Sequence, residues 1–299
     1  MHSGKWEKTM EKWILLIVTV FLLIFLEWMR EIRTYKITRY KVSSKKLNGI
    51  KHEKKIVFLS DLHNYCYGKE NKKLIQSIKH EQPDYILVAG DMVVGKPGVS
   101  TRVAEELMVQ LPAICPVYYA NGNHEQRMKE FPSIYGESFE QYKNIVEKSG
   151  VHWLSNQKIS EEWDGNPVEI YGLELPNKKY KKFMTHSFSD KDVAESLGDA
   201  RKDAYEILIA HNPVFIDSYL NWGADLILSG HFHGGVVRLP FIGGIVTPMF
   251  SFFPKYSGEM KKVDDATVVV SKGLGLHTIK VRLFNPAEVV VLQINGTEE

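Results

Sequence analysis

Two aspartates, one asparagine and five histidines stand in five short polar motifs, each placed directly after an apolar run. The motifs are Asp61-Leu62-His63, Gly90-Asp91, Gly122-Asn123-His124-Glu125, His211 and Gly230-His231-Phe232-His233. Carboxylate, amide and imidazole groups are ligands for divalent ions, and imidazole favours Zn, Fe, Mn or Ni over Mg or Ca. Gathered in one cleft, so dense a set is hard to explain without metal. Two such ions about 3.5–4 Å apart can clamp the attacking and leaving oxygens of an in-line phosphoryl displacement. A carboxylate suits a position shared by both ions, because it has two oxygens and its charge offsets their repulsion. Asparagine supplies a neutral oxygen. A water held between the ions would lose a proton near neutral pH and become the nucleophile, so the expected reaction is hydrolysis of a phosphate ester or anhydride.

The elements that must position these residues are legible in outline. The runs Ile56–Ser60, Tyr85–Ala89, Val117–Asn121, Ile207–Ala210 and Leu226–Ser229 are short, apolar and bounded by turn residues, which predicts buried strands. In layered α/β folds ligands bind beyond the carboxyl ends of strands, so the five loops are expected to converge. Helical patterns fall near Lys69–His80, Val103–Leu111, Ser138–Ser149 and Val214–Trp222. Late strands are expected at Ala266–Ser271, Ile279–Leu283 and Glu288–Ile294, completing a second sheet, with Asp264-Asp265 as a turn. About 245 residues follow the N-terminal segments, enough for one large core.

In order and content the motifs resemble the calcineurin-like metallophosphoesterase superfamily, from about residue 54 to the C-terminus. They are most similar to its membrane-associated bacterial branch, through the stretch Gly230 to Gly244 and the Pro254-Lys255-Tyr256 that follows. The resemblance implies a four-layer α/β/β/α sandwich with the metals at one edge. It implies that Asp61, His63 and His233 hold one ion, Asn123, His211 and His231 the other, and that Asp91 bridges them. His124 would then face the leaving group as the catalytic residue. Taken singly each motif is weak, and His211 rests mainly on its strand and on the following Asn212-Pro213. His152, His186 and His277 are assigned no role.

Two departures from the family pattern bear on mechanism. Many relatives carry an aspartate three residues after the bridging one, where it orients the catalytic histidine; here Val94 stands there. Such a carboxylate fixes a tautomer and raises a pKa, so the general-acid role of His124 is open, and Glu125 is the candidate substitute. Phe232 stands between the two late histidines, where a small polar residue is commoner.

The N-terminus suggests where the chemistry takes place. Trp13 to Met29 is almost wholly apolar, about 25 Å long as a helix, with tryptophans at both ends as in an aromatic belt. A cleaved signal peptide is the competing reading, but no small-residue cleavage site follows. The expected organisation is a short basic tail (1–12), a transmembrane anchor (13–29), a basic linker with an edge strand around Thr34–Tyr40 (30–54) and the catalytic domain (55–299). Residues 30–54 read either as a solvated linker or as a segment drawn to anionic lipid headgroups. Three basic residues precede the anchor, and seven follow it closely: Arg30, Arg33, Lys36, Arg39, Lys41, Lys45 and Lys46. The positive-inside rule then points the catalytic domain to the cytoplasmic face of the cell membrane, against which stands the tendency of short basic N-terminal tails to stay inside and the exported look of some related enzymes. Cys66 and Cys115 read as free thiols, and a net charge of +2 argues against a nucleic-acid partner.

The stretch Gly234 to Tyr256, directly after the last ligand motif, is apolar, aromatic and glycine-rich, and Arg238 and Lys255 are its candidate phosphate-binding cations. Together these features predict a membrane-anchored phosphohydrolase using two divalent ions (Mn, Zn, Fe or Ni). Its expected partners are the bilayer and a phosphorylated small molecule or lipid, whose phosphoester or pyrophosphate it cleaves. Resemblance adds nucleotide-linked acyl sugars as one such substrate. The alternative is a catalytically silent membrane protein that uses its metals to bind phosphorylated ligands. A secreted nuclease-like phosphodiesterase is disfavoured by the missing cleavage site and the modest charge.

Overall fold

The computed structural model describes residues 3–181, 187–235, 237–239, 243–246, 254–276 and 281–297. In chain order the long helix α1 (Ser3–Glu31) leads into β1 (Tyr35–Ser44) and β2 (Lys54–Leu59). Next come α2 (Lys72–Glu81), β3 (Tyr85–Val88), α3 (Arg102–Met108), β4 (Val117–Tyr119), α4 (Asn123–Glu130), α5 (Pro132–Tyr135) and α6 (Ser138–Lys148). After these come β5 (Val151–Trp153), β6 (Gln157–Trp163), β7 (Asn166–Leu173), α7 (Asp190–Leu197), β8 (Tyr205–Ala210), α8 (Ile216–Trp222) and β9 (Leu226–Ser229). The short strands β10 (Val237–Leu239) and β11 (Gly243–Val246), then β12 (Met260–Val263), β13 (Ala266–Val270) and β14 (Ala287–Gly296), complete the chain.

Among the described residues two six-stranded sheets form, ordered β1-β14-β2-β3-β4-β5 and β12-β13-β9-β8-β7-β6. Strand alternation divides their side chains between three apolar layers. Ile56 and Phe58 of β2, with Leu87 of β3, face Ile207, Ile209, Leu226 and Leu228 of the other sheet. Their neighbours Val57, Leu59, Ile86 and Val88 point outward onto Leu74 and Ile78 of α2 and Leu107 of α3. On the far side Leu208, Ile227 and Val268 meet Val193 of α7 and Ile216 and Tyr219 of α8. Strands covered on both faces are apolar throughout rather than alternating in polarity, which is why the sequence shows continuous runs. The architecture is the expected four-layer α/β/β/α sandwich.

Several expectations need correction. The strand over Glu288–Ile294 forms as β14 but inserts into the first sheet, antiparallel to β2 and parallel to β1, instead of completing the second. Residues 279–280 of the strand expected over Ile279–Leu283 lie outside the described residues, and Val281 and Arg282 are not in a strand. Arg282 instead sits buried, with its guanidinium on the carbonyls of Lys272, Gly273, Gly275 and Asn285. The edge strand near Thr34–Tyr40 runs on to Ser44, and its ten residues pair throughout with β14. Strands β5, β6 and β7 and helices α4, α5 and α7 had no counterpart in the sequence reading.

Candidate metal centre

The motif residues sit where β2, β3, β4, β8 and β9 end. Main-chain bonds tie these ends together: the amides of Asp61 and His63 donate to Gly90 and Asp91 carbonyls at 3.0 Å, and that of Gly230 to His211 at 3.1 Å. The second and third strand-end turns are close enough to demand glycine. A Cβ on Gly90, whose φ is +73°, would lie 1.9 Å from the Gly122 nitrogen. Asp61, His63, Asp91, His231 and His233 also hold positive φ, between 46° and 67°. Non-glycine residues in that region cost about 1–3 kcal/mol each and cluster at functional sites.

The side chains then converge. Ligating atoms of Asp61, His63 and His233, of His63, Asp91 and His124, and of Asp91, His211 and His231 lie within 4.8 Å of one another in each set. His63 and His233 approach Nε2 to Nε2 at 3.0 Å with their rings nearly parallel. His233 Nε2 is 3.2 Å from Asp61 Oδ1, and His211 Nε2 is 3.2 Å from Asp91 Oδ2. Two nitrogen or oxygen ligands on one ion at about 2.1 Å stand roughly 3.0–3.4 Å apart, so these spacings suit a shared cation. Among the described residues Asn123 Oδ1 and His231 Nε2 are buried without a hydrogen-bond partner, as atoms awaiting a ligand would be. The donor set and the orphaned atoms fit divalent metal.

Supporting contacts orient the ligands. His211 places Nδ1 against the Ala89 carbonyl, which turns Nε2 toward the site. The Asp61 carboxylate accepts the His231 amide at 3.1 Å, and Asp91 Oδ1 accepts the His124 amide at 2.8 Å in the first turn of α4. Burial alone would raise the carboxyl of Asp61; the facing His233, then His211, outweigh it and hold the group well below the usual range. Asp91 is likewise held down against burial, chiefly by His211. Burial, then His211, pushes His231 down to about 3, and burial, then His124, holds His63 low. His211 is opposed by burial yet lifted to about 9 by Asp91. Ionised carboxylates among mostly neutral imidazoles are the protonation states that metal binding requires.

His124 stands apart in its contacts. Its Nδ1 accepts the Gly95 amide at 2.8 Å, so the neutral ring carries its proton on Nε2, which lies 3.9 Å from Asp91 Oδ2. A main-chain N–H thus fixes the ring's direction, as a carboxylate at position 94 would, but with the opposite electronic effect: it occupies the Nδ1 lone pair, and burial holds the ring's pKa down, so the neutral ring offers Nε2–H as a hydrogen-bond donor. Glu125 is not the substitute considered above. Its carboxylate accepts the amides of Asp91, Met92 and Gly122 and the hydroxyl of Tyr119, and so welds the second and third motif loops together. Sequence gave no signal for Gly95, nor for Tyr180, whose ring packs against His231 at 5.2 Å. Arg238 is not a phosphate receptor either, because Glu259 pairs with it at 2.8 Å and the Gly234 carbonyl accepts from it. Lys255 pairs with Asp217 at the surface. Phe232 is buried beside Pro213, Ile216, Pro254 and Tyr256 around a cavity of about 190 Å³. His152 is exposed, both thiols are free, and His186, His277 and part of the 234–256 stretch lie outside the described residues.

The fold and the site together define a class. A family profile for calcineurin-like phosphoesterases matches residues 54–235, more than half of the chain, and the chain belongs to that family. It is a metal-dependent phosphoesterase. Its relatives include a metallophosphoesterase of Bacillus subtilis, YkuE, 28% identical over 81% of this chain and 79% of the relative. The phosphodiesterase YaeI of Escherichia coli is 23% identical over 80% and 82% of the two chains. The UDP-2,3-diacylglucosamine pyrophosphatase LpxG of Chlamydia muridarum is 22% identical over 81% and 84%.

Proposed function

We propose that this chain hydrolyses a phosphoester or pyrophosphate of a membrane lipid or nucleotide-linked lipid with two divalent ions, while anchored by α1. The observation that carries the reading is the convergence of three overlapping Asp/His groups, linked to one another through His63 and Asp91. In this assignment Asp61, His63 and His233 would hold one ion, Asn123, His211 and His231 would hold the second, and Asp91 would be a ligand to each. Bound there, the ions would supply Lewis-acid polarisation of the phosphoryl oxygens and an activated water. The chain's own contribution is orientation and charge. Asp61 and Asp91 are fixed by main-chain amides, and His124, held by Gly95, presents its Nε2–H to the departing oxygen.

Membrane attachment is supported by α1, whose segment Lys8–Glu31 is long and apolar enough to cross a bilayer, and whose apolar stretch is not covered by the rest of the protein. The basic residues after it favour a cytoplasmic catalytic domain. The lipid class draws on the printed activity of the chlamydial relative. The test uses the full chain in detergent, stripped of metal and reloaded with Mn or Zn, on bis-p-nitrophenyl phosphate and on phospholipid and pyrophosphate substrates. Metal-dependent turnover that Asp91→Asn abolishes, with metal content falling from two ions, is the expected result. Turnover independent of metal or of Asp91 would overturn the assignment.

A further inference from the structure

The apolar helix leaves the domain at the same end as the candidate metal centre. Strands β1 and β14 run parallel to each other, and β14 runs antiparallel to β2. Their starting residues Tyr35 and Ala287 therefore lie at the end of the sheet where β2 and β3 finish and where Asp61 and Asp91 follow. Side chains join the two features directly. Glu31, the buried last residue of α1, accepts the Asn285 amide at 2.9 Å, and the Asn285 side chain donates to the carbonyls of His233 and Gly235 at 2.7 Å. Tyr65, two residues beyond His63, donates its hydroxyl to the Ile32 carbonyl.

Beside this junction two apolar side chains face outward, Val281 with 38% and Phe284 with 48% of its surface exposed. Phe284 also holds φ +54°, a conformation in which a bulky residue is an outlier. Half-exposed, its ring gains little from the domain to offset that strain. Nearby Arg33 and Lys36 are exposed and basic. Apolar side chains bordered by cations at the exit of an apolar span are the pattern of an interfacial surface.

We propose that the metal-bearing end of the sandwich is the face apposed to the bilayer, with Val281 and Phe284 seated in the headgroup layer of an anionic membrane. The proposal rests on the anchoring reading above and deepens it, since substrate would then reach the metals from the lipid surface without leaving it.

The test places an environment-sensitive thiol dye at Phe284→Cys, or separately at Val281→Cys, in the full chain carrying Cys66→Ser. Cys115 remains, half-buried and with its thiol pushed up to about 12 by burial, and so reacts slowly. Val109→Cys is the control: it is exposed and follows α3, at the opposite end of the sheet from the metal centre. The chain is reconstituted in phosphatidylcholine vesicles containing phosphatidylglycerol, and lipids spin-labelled near the headgroup serve as quenchers. Quenching at positions 281 and 284 severalfold above that at 109 is expected. Equal quenching at all three, with the protein floating with the vesicles, refutes the proposal while leaving the anchor intact. A chain that fails to float after alkaline carbonate refutes the anchor and the proposal with it.

Discussion

Replacing Gly95 by alanine isolates the contact that sets His124. A Cβ there would lie 2.6 Å from the His124 carbonyl oxygen and 3.1 Å from its Cα. The first distance falls short of ordinary contact by about 0.8 Å, and neither backbone can yield without parting from the other. Moving the loop after β3 away from the first turn of α4 by that amount stretches the 2.8 Å bond from the Gly95 amide to Nδ1 beyond hydrogen-bonding range. His124 is then free to turn or to carry its proton on the wrong nitrogen. A fixed hydrogen-bond donor to developing charge contributes about 10²–10³-fold, and a misplacement near 1 Å costs up to about 10²-fold. The expected outcome is a kcat lowered about 10–100-fold on an alkyl or lipid phosphoester, and less on a p-nitrophenyl ester whose leaving group needs little help. Metal content and KM should stay within about twofold, because no ligand contact is touched. Steady-state kinetics on the two substrate types, beside metal analysis, decide the matter. An unchanged kcat in Gly95→Ala, with a large loss in His124→Ala, would refute the claim that this amide holds the ring. An equal loss on both substrates would show general disruption instead.

Three further outcomes are expected. Chelating the metals should lower the thermal midpoint by about 5–10 °C, since an ion present at 100 times its Kd contributes about 2.7 kcal/mol and each kcal/mol shifts a domain of this size by about 2–4 °C. Calorimetry with and without chelator checks this, and a midpoint that does not move argues against occupied sites. Glu125→Ala strands the amides of Asp91, Met92 and Gly122 and the Tyr119 hydroxyl, and should cost about 3 kcal/mol or more by urea unfolding, with Glu125→Gln milder. Glu206 is buried in β8, and burial pushes its carboxyl up to about 7. Between pH 4.5 and 7 the folded chain thus retains a proton that the unfolded chain has released, so this contribution is complete below 4.5 and fades as pH rises through 7. Glu206→Gln should therefore stabilise the protein by about 2 kcal/mol near pH 8 and leave it unchanged near pH 4. Equal urea-midpoint shifts at both pH values would contradict this.

The sequence by itself determined the strand-and-motif arrangement, because a strand buried on both faces must be continuously apolar and the polar residue that ends it is conspicuous. It therefore identified Asp61, His63, Asp91, Asn123, His211, His231 and His233 as residues to bring together, along with the apolar character of the first helix. Tertiary structure alone decided what depends on which strand lies beside which. The β14 pattern is equally compatible with either sheet; pairing with β1 and β2 places it in the first and carries the end of α1 to the metal face. Local pattern also cannot reveal partners distant in sequence. Glu125 reads as a histidine's companion until the amides of residues 91 and 92 are seen to claim it. Arg238 reads as a phosphate site until Glu259 neutralises it. The partner of His124 left no trace in side-chain chemistry, because it is a backbone N–H, which every residue but proline possesses and which only the close packing of Gly95 brings into place.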